Sequence, residues 1–312
     1  ILFASARTRR PHDNLPEPVN GRKAERVCII CQGNTTGVID VADLSEGFTF
    51  INKNLYPILY PWEASRVMMA KVDHDPGPRG RMACGLHFVQ WTSSLHDKDW
   101  HNMPLADCVV VMQRLAALER KLLTGSQEVF PSVESWGDRS DNRCFVLIIK
   151  NHGHLVGGSI AHGHQQIACS NILPRRFRDG WRFEQEHGET FSTYLIRENP
   201  ADFLVRDYGS AVLLVPYFMR RPYDMMLLVK DASKTHLHEL TKIEIEAVAE
   251  GWHDAIRAIR AIMPTIGREI AYNVVTHNGP GILCPSSLHP SAQEIGGAEH
   301  LGLFICQGNP KS

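Results

Sequence analysis

Two long stretches carry apolar residues at the spacing of a helix face. Leu105, Cys108, Val109, Met112, Leu115, Ala116, Leu118 and Leu122 recur every three to four residues, and Gly125 stands where a stop is expected. Ile245, Val248, Trp252, Ile256 and Ile259 do the same after Thr241 and Glu244, whose spacing is that of a capping box. Elsewhere the period shortens. FTFINKNLYPI (48–58), a strand pair around 65–92, CFVLIIKN (144–151), SAVLLVPYF (210–218), DMMLLVK (224–230) and EIAYNVVTHNGPG (269–281) read as strands, some running into turns.

The order strand pair, helix, strand and His/Asn/Gly turn occurs twice, the signature of an internal duplication. The predicted fold class is α+β, with two half-barrel-like domains, each an antiparallel sheet carrying one long helix. The first spans 1–180 and is expected to hold the chemistry. The second, 181–312, reads as a degenerate copy that contributes to the substrate pocket.

Composition narrows the class. The 312 residues, 43% of them hydrophobic, can bury a substantial core. A net charge of −1 gives no field for nucleic acid or membrane, so neither partner is expected and any phosphate binding is local. The opening residues lack the order of a signal peptide, no apolar run reaches membrane-span length, and a cytoplasmic protein is expected. The 8 cysteines are scattered, so disulfides are not expected. Cys28 and Cys31 form the close pair and read as a metal or redox motif.

Chemistry concentrates in NHGHLVGGSIAHGHQQIACSNILPR (151–175). If the second part of this run is extended, His162, His164 and Gln166 share one face, with Gly163 and Gln165 on the other. The glycine-rich part before it allows close backbone approach to an anion. A neutral imidazole is a nucleophile near pH 7, and a carboxamide can steady a charged oxygen as a phosphoryl group moves. The same spacing also fits a buried strand with core histidines, or a plain metal site. Cys28 and Cys31 can grip one Zn2+, with two further ligands to come from His96 or His101 and from His162.

This run resembles the active-site segment of the galactose-1-phosphate uridylyltransferase family, a branch of the histidine-triad superfamily in which HxHxQ follows a loop of glycine and serine. The resemblance implies duplicated histidine-triad-like domains and a double displacement. His164 would carry the nucleotide as the catalytic nucleophile, its second ring nitrogen held by the His162 carbonyl, and Gln166 would assist. It implies one structural Zn2+ on Cys28, Cys31, His96 and His162. Arg7 and Arg10 match arginines that approach nucleotide phosphates, often across a dimer interface, so a homodimer is expected. Asn52 and Lys53 fall near the nucleoside, Gly157, Gly158 and Ser159 near the phosphates, Asn151 supports the loop, and Glu299 can meet sugar hydroxyls.

The sequence departs from that pattern in three places. Lys53 replaces an acidic residue of the uridylyl branch and looks like adenylyl-transferring relatives. Ala298 interrupts the galactose-specific tail motif. The later HxH pair of a second metal site is absent, leaving His277 and His289 isolated, so no second metal is expected. The reading is therefore transfer of a nucleoside monophosphate, UMP first, between sugar 1-phosphates. The alternative is an ADP-sugar or dinucleotide phosphorylase that uses inorganic phosphate. Outside this class stand a histidine-triad nucleotide hydrolase, a non-catalytic zinc scaffold or nucleotide sensor, and redox catalysis by the cysteines.

Overall fold

The computed structural model describes residues 28–61, 84–124, 145–170, 175–219, 221–277 and 302–307. The strands are β1 Val38–Asp43, β2 Phe48–Lys53, β3 Gly85–Trp91, β4 Phe145–His152, β5 His164–Ser170, β6 Leu204–Asp207, β7 Ala211–Leu214, β8 Met225–Val229, β9 Tyr272–His277 and β10 Gly302–Gln307. The helices are α1 Leu105–Thr124, α2 Arg175–His187, α3 Phe191–Glu198 and α4 Lys242–Thr265. Both helices expected from periodicity are present, with bounds close to those expected. The strands β1, β6 and β10 and the helices α2 and α3 were not anticipated. β1 carries Asp40 and Asp43, and β6 is exposed along its length, so neither shows a clean alternation.

Among the described residues, the strands form one 10-stranded sheet in the order β1-β2-β3-β5-β4-β9-β10-β8-β7-β6. Every described pairing is antiparallel. Read from either edge inward, the order is the same. β1 corresponds to β6, β2 to β7, β3 to β8, β5 to β10 and β4 to β9, so the repeated grammar of the sequence is a repeated topology. The halves meet where β4 pairs with β9, through Ile149 opposite Val275 and Asn151 opposite Asn273. The fold class is thus as expected, with both halves continuing into one sheet.

One face of the sheet is covered by α1 and α4, because alternation in each strand sends one set of apolar side chains there. Ile51, Phe88, Ile148, Ile167, Leu213 and Leu227 join the helical stripes in a single core. Trp252 of α4 stacks on Trp100 at 4.8 Å and 10°. At Gly251 a Cβ would stand 2.4 Å from Leu227 Cδ1, so glycine allows α4 to approach β8. The capping box forms, with Thr241 Oγ1 accepting from the Glu244 N–H and Glu244 Oε2 accepting from the Thr241 N–H. None of the described helices is long and apolar enough to cross a membrane.

Cys28, Cys31, Cys84 and Cys108 are free thiols, as expected. Cys169 is not: it is disulfide-bonded, contrary to the expectation from cysteine spacing. Spacing along the chain says nothing about which residues adjacent strands bring together.

Candidate active site

The HxHxQ segment is β5 and the residues leading into it. His164 lies opposite Trp91 of β3, and Gln166 lies opposite Val89 of β3 and Ile149 of β4. Period two puts His164 and Gln166 on the face away from α1 and α4, while Ile167 enters the helix-covered core. Gly163 between the histidines is required by packing, since a Cβ there would meet Asp99 Cγ at 2.6 Å.

Cys28, Cys31, His96 and His162 converge so that their ligand atoms all lie within 4.8 Å of one another. Cys28 Sγ is 3.7 Å from His162 Nδ1, Cys31 Sγ is 3.6 Å from the same atom, and Cys31 Sγ is 3.7 Å from His96 Nδ1. Bonds of about 2.3 Å to sulfur and about 2.0–2.1 Å to nitrogen at tetrahedral angles imply S···N edges of about 3.6 Å. The residues therefore fit a tetrahedral metal. His162 Nε2–H donates to the Ser93 carbonyl at 2.8 Å, which leaves Nδ1 with a lone pair for the metal. A metal there ties the Cys28–Cys31 turn and the His96 loop to the start of β5. His101, the other candidate ligand, lies elsewhere, beside His253 and Arg257 in a cavity behind the 93–104 loop.

His164 is 7% exposed, and its Nδ1–H donates to the His162 carbonyl at 2.8 Å. The lone pair is thereby left on Nε2. Burial pushes the imidazole pKa down to about 4, which the hydrogen bond to His162 only partly opposes. The ring is neutral near pH 7, the form that acts as a nucleophile. Trp91 packs against it at 5.2 Å and meets the ring of His162 edge-on at 5.6 Å.

His164, Gln166 and Ser159 line a small cleft that opens to solvent. Its walls are apolar at Ile29, Ile30, Leu55 and Val89 and polar at Asn34, Thr35, Asn54 and Asn52. Asn52 has its amide fully engaged: Oδ1 accepts from Trp91 Nε1–H at 2.7 Å, while Nδ2 donates to Thr36 Oγ1 at 2.8 Å and to the Lys53 carbonyl at 2.9 Å. It holds the tryptophan that backs His164. Lys53 closes β2 beside it and does not line the cleft.

The glycine loop is tighter than its composition implied. Gly157 N–H donates to the His154 carbonyl and Gly158 N–H to the Gly153 carbonyl, both at 3.0 Å, so these donors close the loop on itself. Gly157 has φ +80°, and at Gly158 a Cβ would stand 2.8 Å from the Gly153 oxygen. Asn151 anchors the start of this loop in β4 opposite Asn273. Arg7, Arg10 and Glu299 lie outside the described residues, as do His289 and Gly125. His277 ends β9.

The sequence reading missed what lies beneath the motif. Gln165 is fully buried; its Oε1 accepts from Thr92 Oγ1 at 3.1 Å and from Trp100 Nε1–H at 3.2 Å, and its Nε2 donates to Gln90 Oε1 at 2.7 Å. Gln90 in turn donates to the Val111 carbonyl of α1 at 3.0 Å. Beside this chain Lys150 pairs with Asp99 at 2.8 Å inside the core. A signal was available for Lys150, because Val146 and Ile148 establish an inward face in CFVLIIKN and the next inward position is the lysine.

No family model matches the chain. Among curated proteins it is similar to an ADP-glucose phosphorylase from Arabidopsis thaliana, 22% identical over 293 residues, which span 90% of this chain and 75% of that protein. Among solved structures, a uridylyltransferase aligns over 93% of this chain and 84% of its own, at 20% identity and a TM-score of 0.65. An ADP-glucose phosphorylase from Arabidopsis thaliana with bound ADP-glucose aligns over 94% of this chain and 84% of its own, at 16% identity and a TM-score of 0.65. The ten-stranded palindromic sheet with two long helices on one face is therefore the fold of the uridylyltransferase and ADP-glucose phosphorylase structures.

Proposed function

We propose that the chain is a nucleotidylyltransferase that works by double displacement through a nucleotidyl-histidine, with a nucleoside diphosphate sugar as donor. The observation that carries this reading is a single one: a buried, neutral His164 lines a cleft with Nδ1–H held by the His162 carbonyl and Nε2 bearing the lone pair. Nε2 of His164 attacks the α-phosphorus, forming an N–P bond as the P–O bond to the β-phosphate breaks and sugar 1-phosphate leaves. In the second half, a phosphate oxygen of the acceptor attacks the same phosphorus and the N–P bond breaks. Nδ1 keeps its proton throughout, so the His162 carbonyl stabilises the positive ring of the intermediate.

Gln166 steadies a non-bridging oxygen. Its amide neither gains nor loses a proton near neutral pH, so it gives water no general base, and the intermediate persists until a phosphate-bearing acceptor arrives. The Cys28, Cys31, His96 and His162 set is read as a structural Zn2+ site, because closed sites of two thiolates and two imidazoles suit that ion. Zinc there supplies rigidity to the segment that aims His164. The first half, 1–180, carries this chemistry; the second, 181–312, completes the pocket, with Glu299 on the sugar side and Arg7 and Arg10 on the phosphates. The working unit is a cytoplasmic homodimer.

Two pairs of substrates fit this chemistry. UDP-glucose with a hexose 1-phosphate follows the motif resemblance. ADP-glucose with orthophosphate is favoured by the similarity to ADP-glucose phosphorylase at the level of sequence. Intact-mass analysis after incubation with UDP-glucose or ADP-glucose separates them. The expected result is an acid-labile adduct of one nucleoside monophosphate, discharged by a hexose phosphate or by orthophosphate and absent in His164→Gly. No adduct with either donor, or free nucleotide released without acceptor, overturns the reading.

A further inference from the structure

Behind the motif strand, on the face opposite the cleft, a lysine occupies a position where alternation calls for an apolar residue. Lys150 is 1% exposed; its Nζ donates to Asp99 Oδ1 at 2.9 Å, lies 2.8 Å from Oδ2, and donates to the His164 carbonyl at 3.3 Å. Asp99 belongs to the loop that also carries His96. Its Oδ1 accepts the Trp100 N–H at 2.9 Å, and its carboxyl group is the one that leaves no room for a Cβ on Gly163. The same loop meets the motif on either side of this point. The Ser93 carbonyl takes the His162 Nε2–H at 2.8 Å, and the Trp100 indole donates to Gln165 at 3.2 Å.

A buried ammonium–carboxylate pair is a poor device for stability alone, because desolvation offsets much of its attraction and well-packed apolar residues of similar volume often do as well. What this pair adds is direction. The carboxylate fixes where the loop lies against Gly163, and the ammonium fixes the peptide carbonyl of the residue whose ring would carry the nucleotide. Neither side chain lines the cleft, so neither touches substrate.

We propose that Lys150, acting through Asp99, is a positioning residue for His164: the pair clamps the His162–Gly163–His164 backbone to the 93–103 loop and so aims the imidazole at the α-phosphorus. This rests on the reading of His164 as nucleophile. Asp99 is held ionised in that role. Burial acts to raise its pKa, but the charge and hydrogen bond of Lys150 outweigh this and hold it below the usual carboxylate range, while burial pulls the Lys150 pKa down and the Asp99 carboxylate opposes that pull. A small misplacement is costly, since a shift of about 1 Å in a reacting group costs on the order of 100-fold in rate.

The test compares the wild-type chain with Lys150→Met and with the charge-free double variant Lys150→Met/Asp99→Asn, in which the Asn oxygen still accepts the Trp100 N–H. For each, bound metal, thermal midpoint, donor affinity and the single-turnover rate of adduct formation are measured with the donor that labels the wild type. The expected result is a folded, metal-loaded protein in at least one variant, with adduct formation slowed about 10- to 100-fold and donor affinity unchanged. Lys150→Arg, which restores a cation, recovers part of the rate. An unchanged rate in a folded variant, a loss that follows only the unfolded fraction, or failure of both variants to fold overturns the positioning role. A wild-type chain that forms no adduct overturns the reading of His164 itself, and the positioning role falls with it.

Discussion

On the sheet face away from α1 and α4, β2 and β3 present Phe50, Asn52, Val89 and Trp91, beside His164 and Gln166 of β5, whereas their counterparts β7 and β8 in the other half of the palindrome present Val212, Leu214, Met226 and Leu228. In the second half that face is closed by α3: Leu195, Phe191 and Ile196 pack on the four strand residues and make a small core of their own. In the first half no helix sits there among the described residues. A cysteine turn, a metal-ligand cluster and a glycine loop surround a cleft instead. Identical strand order thus supports two uses of one face, and what differs is whether the outward side chains are aliphatic or polar. Fold alone does not carry chemistry; the side chains on one face of two strands do.

This contrast can be broken or sharpened experimentally, and the largest effect belongs to the metal. Cys28→Ser removes one corner of the tetrahedron, so affinity for zinc is expected to fall by more than the roughly 10- to 100-fold that loss of an outer partner costs. Metal analysis against a competing chelator checks it. Thermal stability should fall with the metal, and full zinc content in the variant would falsify the assignment.

Next in size is the closed face. Leu195 is fully buried in the α3 cluster, and Leu195→Ala is expected to lower unfolding free energy by about 2–5 kcal/mol through lost burial and a residual cavity. Adduct formation per folded molecule should stay at the wild-type level, since the cluster lies in the half that lacks the histidine pair. Urea unfolding and single-turnover labelling read the two separately, and a labelling rate that fell along with stability would mean that the halves are not chemically distinct. The smallest effect concerns the helix that both faces depend on. Thr241→Ala removes the capping box of α4 and is expected to cost about 1 kcal/mol. A shift in chemical denaturation with the same slope checks it.

Much of this was legible from periodicity, because the helical stripes and the alternating strands record which face of each element meets the core. Ile245, Val248, Trp252, Ile256 and Ile259 are all buried in α4, as their spacing requires. The motif was equally legible: alternation alone put His162, His164 and Gln166 on one face and Gly163 and Gln165 on the other, although the strand itself begins only at His164. Spacing alone left His96 and His101 open, and only the family resemblance favoured His96, because both precede α1 at short distances along the chain and the path of the 93–103 loop sends one to the cysteines and the other to a cavity beside His253 and Arg257. The roles of Asn52 and the glycine loop also changed on folding, since hydrogen-bond donors that look available in sequence are spent on Thr36, Lys53, His154 and Gly153.

By itself, then, the order of residues determined the two long helices and most of the strands, their inward faces, the duplication and the residue types gathered at 151–175, since each is set by local spacing or by nearby chain. Only the tertiary structure decided that β4 and β9 join the halves into one sheet, that four ligand atoms more than sixty residues apart at their closest long-range link, Cys31 to His96, form one cluster, and that Lys150 finds Asp99 beneath the motif. Those outcomes depend on strand partners and loop paths that are chosen by burial of the whole core, and burial is a property of the packed chain rather than of any segment in it.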